Sequence, residues 1–417
     1  MNTDDTRVVV TGLGATTPVG GELASTWAAL LAGRSGVRRL TDGWPDDIPI
    51  RVGAPAAVDP ASVVNRTELR TMDRSTHLAM TAAREAWRDA GAPEVAPERL
   101  GVSIGTALGG HLTYLAAYDT LRERGWRRMS PYTAPRVMPN SAAGWLSIEL
   151  GARAGAHTAA GACASGAEAI GYGIEMIRSG RADIVVAGGT ETPITPMWAA
   201  MFAALQALSL AEDEPLRASR PFDKARNGLV LGEGAGMLVL ESAAHAARRG
   251  AAVHAIAAGV GYSADAHHIA VPEPDGAGLA LAMTHALANA RLTPEQVVHI
   301  NAHATSTKAG DSAEARAIRQ VLGSATAGAV VSATKSMTGH LIGGAGAVEA
   351  VAAICALRES IAPPTLNLDD PDDEVTATGI TIAPEARELR GGPSVRAALS
   401  NSSAFGGHNV TLAFTAV

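Results

Sequence analysis

Cys163 lies in Gly161-Ala162-Cys163-Ala164-Ser165-Gly166-Ala167-Glu168, among small residues and just where a helical stretch, Ala167 to Ser179, is expected to start. Small neighbours permit a sharp turn that exposes the sulfur. The unpaired N–H groups at a helix start carry partial positive charge, which lowers a thiol pKa. The same N–H groups could hold an oxyanion. The chemistry on offer is nucleophilic attack by the thiolate. The plain alternative is a buried cysteine serving as a small apolar residue, and the motif alone does not decide between them.

Three further segments carry reactive side chains. In Asn301-Ala302-His303-Ala304-Thr305-Ser306-Thr307 a histidine follows an expected strand. The C-terminal edges of strands open on the cleft where α/β proteins bind ligands, and the hydroxyls beyond could hold a polar arm. A buried histidine with its hydrogen bonds satisfied fits equally well. In Lys335-Ser336-Met337-Thr338-Gly339-His340-Leu341-Ile342-Gly343-Gly344-Ala345-Gly346 a lysine and a histidine flank a glycine turn that opens a helix, with Glu349 further along it. No Gly-Lys-Ser/Thr occurs there, so it is not a P-loop. In Ser400-Asn401-Ser402-Ser403-Ala404-Phe405-Gly406-Gly407-His408-Asn409 one large ring stands among small residues. Phe405 reads either as a gate with donor N–H groups beside it, or as the buried anchor of a hairpin turn.

Two apparent motifs are rejected. Gly12-Leu13-Gly14 lacks a third glycine at dinucleotide-binding spacing, since it comes only at Gly20, and Pro18 interrupts the expected helix start. His267-His268 has no flanking ligand pattern, and adjacent histidines rarely chelate one ion. A zinc site from Cys163, His303 and His340 is not excluded by sequence, but the three lack the usual paired spacing.

Positioning these groups requires alternating strands and helices. Strands are expected at Arg7 to Gly12, Leu100 to Gly105, Asp183 to Gly188, Met237 to Glu241, His254 to Val260, Val297 to Asn301 and Ala329 to Ser332. Helices are expected at His77 to Ala90, Ala167 to Ser179, Ala277 to Ala290, Ser312 to Val321 and Ala345 to Arg358. Ala211 to Ala218 and the Pro/Asp/Asn-rich Pro363 to Glu374 read as loops. The mixture implies an α/β chain with buried sheets. Each half opens with a β-branched strand and later sets a Gly-rich turn before a helix, which suggests a duplicated unit.

The 417 residues, 47% hydrophobic and 18% charged, fit two or three domain-sized units or one fused core. The charged fraction is low, which implies a large core or a surface covered by a partner subunit. Forty-five glycines and only 4% aromatics imply helices pressed closely on strands. A net charge of −7 argues against a nucleic-acid protein. Two cysteines, Cys163 and Cys355, are too few for a disulfide framework and point to a cytosolic, cytoplasmic setting. Met1 to Arg7 lacks a signal-peptide pattern. The most apolar stretch, Pro196 to Leu205, falls far short of a membrane span.

Together, the four segments resemble the β-ketoacyl-acyl-carrier-protein synthases of the elongating type, on the thiolase fold. The resemblance runs from Val8-Val9-Val10-Thr11-Gly12 to Phe405-Gly406-Gly407. It includes Ala187-Gly188-Gly189-Thr190-Glu191, Ala218-Ser219-Arg220-Pro221-Phe222-Asp223-Lys224 and Gly232-Glu233-Gly234-Ala235-Gly236. It implies an α/β fold of five layers, α/β/α/β/α, in two similar halves, 1–252 with the cysteine and 253–417 with both histidines. Dimers are implied as well, either of identical subunits or with a chain-length-factor-like subunit.

The resemblance also implies roles. Cys163 takes an acyl group from an acyl carrier protein. His303 and His340 hold the malonyl thioester oxygen as CO₂ leaves. Lys335 and Glu349 form a supporting network, and the N–H groups of Cys163 and Phe405 form an oxyanion hole. Thr305 and Thr307 bind the phosphopantetheine arm. Phe405, Ser403, Ala404, Leu108 and Phe202 contact substrate, and Arg66, Arg70, Arg127 and Arg128 are the basic contacts to the carrier. Neither metal nor redox cofactor is implied.

Four departures stand out. Ser403 occupies a position usually Phe in fatty-acid synthases of this type and often Ser in aromatic polyketide ketosynthases. Ala404 and Ala304 replace glycines, the latter adding a methyl where φ could be constrained. Gln206 replaces a basic residue expected to touch the carrier protein. The fit is to fatty-acid or type II polyketide elongation, with Ser403 and Ala404 reshaping the pocket for polyketide or polyene chains. An inactive chain-length factor would typically lack the cysteine. A degradative thiolase would need a second catalytic cysteine, and Cys355 sits mid-helix. A starter-type synthase would use Cys-His-Asn rather than a second histidine.

Overall fold

The computed structural model describes residues 7–41, 44–45, 48, 50–389 and 395–417; the N-terminal stretch read for a signal peptide lies, except Arg7, outside them. Ten principal strands form. The first half of the chain supplies β1 (Val8–Thr16), β2 (Leu100–Gly105), β3 (Gly155–Ala159), β4 (Ile184–Glu191) and β5 (Gly234–Ser242). The second supplies β6 (Ala255–Ala264), β7 (Val297–Asn301), β8 (Val330–Ser332), β9 (Ala397–Ala404) and β10 (His408–Thr415). All residues of β1 except Thr11 and Thr16 are apolar or Gly, and β1, β2, β4 and β5 are buried along their whole length, as expected of strands covered on both faces.

The strand order is β3-β2-β4-β5-β1 in the first half and β8-β7-β9-β10-β6 in the second, so each strand corresponds to the one five later. Parallel and antiparallel pairings match as well: β2 runs parallel to β3 and β4, and β7 parallel to β8 and β9. The duplication suggested by the sequence is therefore present in the topology. The two half-sheets are not separate. β1 and β6 pair antiparallel at Val9 with Ile256 and Val10 with Ala255, which makes one continuous sheet, extended at its β8 edge by Thr381–Ile382.

Six principal helices are α1 (Arg74–Asp89), α2 (His111–Arg124), α3 (Ser165–Arg178), α4 (Ala277–Ala290), α5 (Lys308–Leu322) and α6 (Ala345–Glu359). The duplication extends to how helices meet strands. A Cβ on Gly12 or Gly14 of β1 would lie 2.1 Å from the carbonyl oxygen of Ala86 or Ala82 on α1. A Cβ on Gly259 or Gly261 of β6 would lie 2.7 or 2.0 Å from that of Ala286 or Ala282 on α4. Gly12-Leu13-Gly14 is thus a helix-packing surface inside a strand, in keeping with its rejection as a dinucleotide fingerprint.

The central layer is α3 and α6. Every residue of α6 from Ala345 to Leu357 is buried, because it packs against strands of both halves, β5 and β9 among them, as well as against α3. One loop expectation needs adjustment. Pro363 to Glu374 runs into a short helix, Asp373–Thr376, capped by the Asp372 side chain. The apolar stretch Pro196 to Leu205 is a helix, Pro196–Ala204, with Thr195 as its cap.

Glycine-mediated packing gives a direct test. Gly14→Ala is expected to destabilise by about 1–3 kcal/mol through overpacking. Gly144→Ala, in the helix Ser141–Leu150 with nothing within 4 Å of the added carbon, is expected to be neutral or stabilising by about 0.5–1 kcal/mol. Urea unfolding of the two variants checks the contrast; equal midpoints would contradict the packing account.

Candidate active site

Cys163 occupies a one-turn 3₁₀ segment, Ala162–Ala164, that runs directly into α3. Ala162 has φ 47°, a left-handed conformation that turns the chain sharply and costs a non-glycine residue energy. The matching segment, Ile342–Gly344, precedes α6, and Ile342 has φ 46°. The first elbow carries the thiol. The second follows His340 by two residues. The elbows touch: a Cβ on Gly166 would lie 2.9 Å from the Gly343 carbonyl oxygen, and one on Gly346 would lie 2.9 Å from the Ala167 Cβ.

The thiol differs from expectation in one respect. Burial pushes its pKa up to about 12, outweighing the lowering by Lys335 and by hydrogen bonds from the N–H groups of Phe405 and Cys163 itself. The helix start supplies donors, but an apolar setting with Trp198, Phe202, Leu229 and Ile342 dominates in the resting chain. The two N–H groups aimed at the sulfur belong to the residues expected to form the oxyanion hole.

His303 and His340 stand edge to face, with ring centroids 5.3 Å apart at 89°. Burial, reinforced by Lys335, drives both well below the ordinary histidine pKa, so both are neutral near pH 7. The Lys335 Nζ lies 3.3 Å from His303 Nδ1. An ammonium only donates, so Nδ1 must accept, which leaves the proton on Nε2. Lys335 also pairs with Glu349; both are buried, and desolvation raises the Glu349 carboxyl to about 7. Both ring nitrogens of His340 are buried without a hydrogen-bond partner among the described residues. Its backbone forms a parallel bridge to the segment Val230 to Gly232, with His340 N donating to Val230 O at 2.7 Å and Gly232 N to His340 O at 2.9 Å.

A cleft of about 240 Å³ joins Cys163, His303 and His340 with Thr305, Thr307, Phe202, Gln206, Ser403, Ala404 and Phe405. The Thr305 and Thr307 hydroxyls lie 3.0 Å apart on one wall. Phe405 is 39% exposed, so it is not the buried anchor of the turn, although the segment does form a hairpin between β9 and β10. The Phe405 ring stacks on Phe202 at 5.9 Å, and Phe202 stacks on Trp198 at 5.5 Å. Leu108 does not line the cleft; it is 44% exposed on the loop after β2, because the Ala107 and Leu108 N–H groups turn inward to Glu191. Arg66, Arg70, Arg127 and Arg128 are exposed and outside the cleft. Ala304 carries no left-handed φ, and Ala404 is extended at φ −139°, so neither methyl strains the backbone. The left-handed residue in that loop is Ser306, at 70°.

Sequence reading missed two buried carboxylates. Glu314 of α5 accepts from His303 N at 2.9 Å, Ala304 N at 2.7 Å and Asn401 Nδ2 at 3.1 Å, fixing the histidine's backbone. The available signal was its spacing: Glu314 shares the helix face of Ala317, Ile318 and Val321. Glu191 ends β4 with no exposure. Among the described residues, no group of three or more His, Cys, Asp or Glu is arranged to hold a metal ion, and no helix is long and apolar enough to cross a membrane. His268 uses Nδ1 to accept from Ala270 N and Val271 N, both at 3.1 Å.

Residues 5–246 match the model of the beta-ketoacyl synthase N-terminal domain, and residues 254–369 that of the C-terminal domain. The chain is 43% identical to the 3-oxoacyl-(acyl-carrier-protein) synthase 2 of Synechocystis sp., covering 99% of each. Among solved structures, it superposes with TM-score 0.89 and 31% identity on a chain of the AntDE:AntF complex, described as a type II PKS acyl-carrier protein with its ketosynthase bound to the hexaketide. It superposes with TM-score 0.89 and 33% identity on the ishigamide ketosynthase/chain length factor; both matches cover 99% of each chain.

The imidazole protonation states are directly observable. In ¹⁵N-histidine spectra at pH 5.5–6, where an ordinary histidine is largely charged, His303 is expected as the neutral Nε2–H tautomer and His340 as neutral. Imidazolium shifts at either position would contradict the electrostatic account.

Proposed function

Because the chain belongs to the β-ketoacyl synthase family, we propose a role for each cleft residue in its decarboxylative condensation of an acyl thioester with malonyl-acyl carrier protein. The observation that carries the assignment is the meeting of one thiol, at the start of α3, with two neutral imidazoles from the other half of the chain.

Cys163 attacks the acyl thioester delivered on the phosphopantetheine arm. The C–S bond to the pantetheine breaks, its sulfur takes up the proton that the thiol loses, and an acyl-Cys163 thioester remains. The Cys163 and Phe405 N–H groups stabilise the oxyanion of each tetrahedral intermediate. The malonyl thioester oxygen then lies between His303 Nε2–H and His340. As the carboxylate departs as CO₂, its bonding electrons pass into an enolate held by these two donors. Neutral imidazoles donate without being strong enough acids to quench the carbanion. That carbon attacks the acyl-Cys163 carbonyl and expels the Cys163 sulfur, giving the β-ketoacyl product. Lys335, held by Glu349, keeps the His303 proton on Nε2. Thr305 and Thr307 take the amides of the arm. None of these steps calls for a metal or redox cofactor.

The polar partner is an acyl carrier protein, approached by the exposed Arg66, Arg70, Arg127 and Arg128. A second subunit, identical or chain-length-factor-like, is supported by the exposed Tyr114, Tyr118, Leu121, Trp126, Tyr132, Met138 and Ile148 on the segment from α2 to the helix Ser141–Leu150. A cytoplasmic setting follows from the free, buried Cys163 and Cys355. Ser403 and Ala404 on the cleft wall, with the ring row Phe405-Phe202-Trp198, favour planar polyketide or polyene chains over saturated ones.

Intact-mass analysis after mixing with acyl-carrier substrate is expected to show one acyl group per chain, lost in Cys163→Ala; acylation surviving in that variant would refute the assignment. Comparing turnover of saturated and polyene acyl carriers of equal length tests specificity. Faster polyene turnover is expected, and a strict preference for saturated chains would remove the polyene reading while leaving the condensation intact.

A further inference from the structure

Glu191 is a buried carboxylate that acts electrostatically on the Cys163 thiol and that none of the steps above uses. It is wholly buried at the end of β4 and has no ion-pair partner among the described residues. Its oxygens accept from the Thr106 hydroxyl at 3.0 Å and the Ala107 N–H at 2.6 Å, and the backbone N–H groups of Leu108 and Gly343 lie close enough to favour its ionised form. Those groups come from two different places. Thr106, Ala107 and Leu108 form the loop after β2, in the half that carries the thiol, and Ala107 packs on the apolar cluster around Cys163. Gly343 belongs to the elbow that follows His340, in the other half. The fit is tight: a Cβ on Gly343 would lie 2.5 Å from Ala107 N and 2.6 Å from Glu191 Oε2.

Gly343 is also the counterpart of Cys163, since each is the middle residue of the 3₁₀ turn before a central helix. At the corresponding place in the second half there is thus no nucleophile but a backbone N–H, and a carboxylate from the first half caps it. A buried carboxylate with two hydrogen bonds and no cation is expensive to ionise unless the N–H groups around it are fixed. The arrangement therefore acts as a clamp between the two halves at the level of the reacting groups.

We propose that Glu191 is a positioning residue for the condensation, locking the His340 elbow to the wall of the Cys163 pocket so that imidazole and thioester keep their register. The proposal rests on the condensation described above. Two charged groups face the Cys163 thiol, Lys335 and Glu191, with opposite influence: Lys335 favours the thiolate and Glu191 disfavours it. Replacing Glu191 by a neutral residue therefore has a signature that does not depend on turnover.

The test compares Glu191→Gln, Thr106→Val and Thr106→Ser in the full-length chain. A glutamine turns an NH₂ toward N–H donors, so the clamp opens. Glu191→Gln is expected to lower kcat by about tenfold to a hundredfold, as misplacement of reacting groups does, with KM for the acyl carrier little changed. Thr106→Val should lower kcat by a smaller factor, and Thr106→Ser, which keeps the hydroxyl donor, should restore it. If Glu191→Gln does not fold, the two threonine variants still decide. Iodoacetamide alkylation of Cys163, followed by mass against pH, needs no substrate and so stands apart from the condensation reading; its midpoint should move to lower pH in Glu191→Gln. Wild-type kcat in Glu191→Gln, equal kcat in Thr106→Val and Thr106→Ser, or an unmoved alkylation midpoint would each overturn the proposal.

Discussion

The contact on which the site depends is that between the starts of α3 and α6. Gly166 and Gly346 allow the two helix starts to approach until no side chain would fit between them. This contact brings the Cys163 elbow and the elbow after His340 into one cleft, although 177 positions of chain separate the two residues' numbers (340 less 163). The half-sheets on either side fix the helices, and α6, buried on every face from Ala345 to Leu357, has no other stable place. The duplicated topology then has a chemical consequence. Two equivalent elbows face each other across a pseudo-symmetric joint, one bearing the nucleophile and the other a glycine whose N–H is capped from across the interface.

Burial sets the electrostatics of the cleft, and it acts in opposite senses on its members. It holds both imidazoles neutral and the resting thiol protonated, and it lifts Glu349 and Glu191 to about 7. Lys335 is the one cation among these groups. A buried pair such as Lys335 with Glu349 gives little net stability, yet removing one partner costs about 3–5 kcal/mol because the other is left uncompensated. The pair therefore holds the lysine where its Nζ can dictate the His303 tautomer. With its proton held by burial, the resting thiol is a poor nucleophile and poorly reactive toward adventitious oxidants.

Much of this was legible from residue order. The strands Leu100–Gly105 and Val297–Asn301 and the helix Ala277–Ala290 were read with their observed bounds, because β-branched runs and helical periodicity end there on Gly, Asn or a turn. The four reactive segments were found because cysteine, histidine and lysine stand out among small residues. Gly12-Leu13-Gly14 was correctly refused as a nucleotide motif, although its real use, admitting Ala82 and Ala86 of α1, depends on a helix some seventy residues away. Leu108 was placed in the pocket by resemblance and lies outside it, since its N–H rather than its side chain faces inward.

The sequence determined the identity of the reactive groups, the strand and helix content, and the repeat, because those follow from residue types and short-range spacing. The tertiary structure decided the rest: the balance of charges and the partners of each buried group. Cys163 was expected to be acidified by its helix, and desolvation reversed that. Glu191 and Glu314 carry no local mark of the hydrogen bonds they accept, since their donors lie up to 87 positions away (401 less 314). Desolvation and long-range hydrogen bonding depend on what the folded chain packs around a group, and no window of neighbouring residues contains that information.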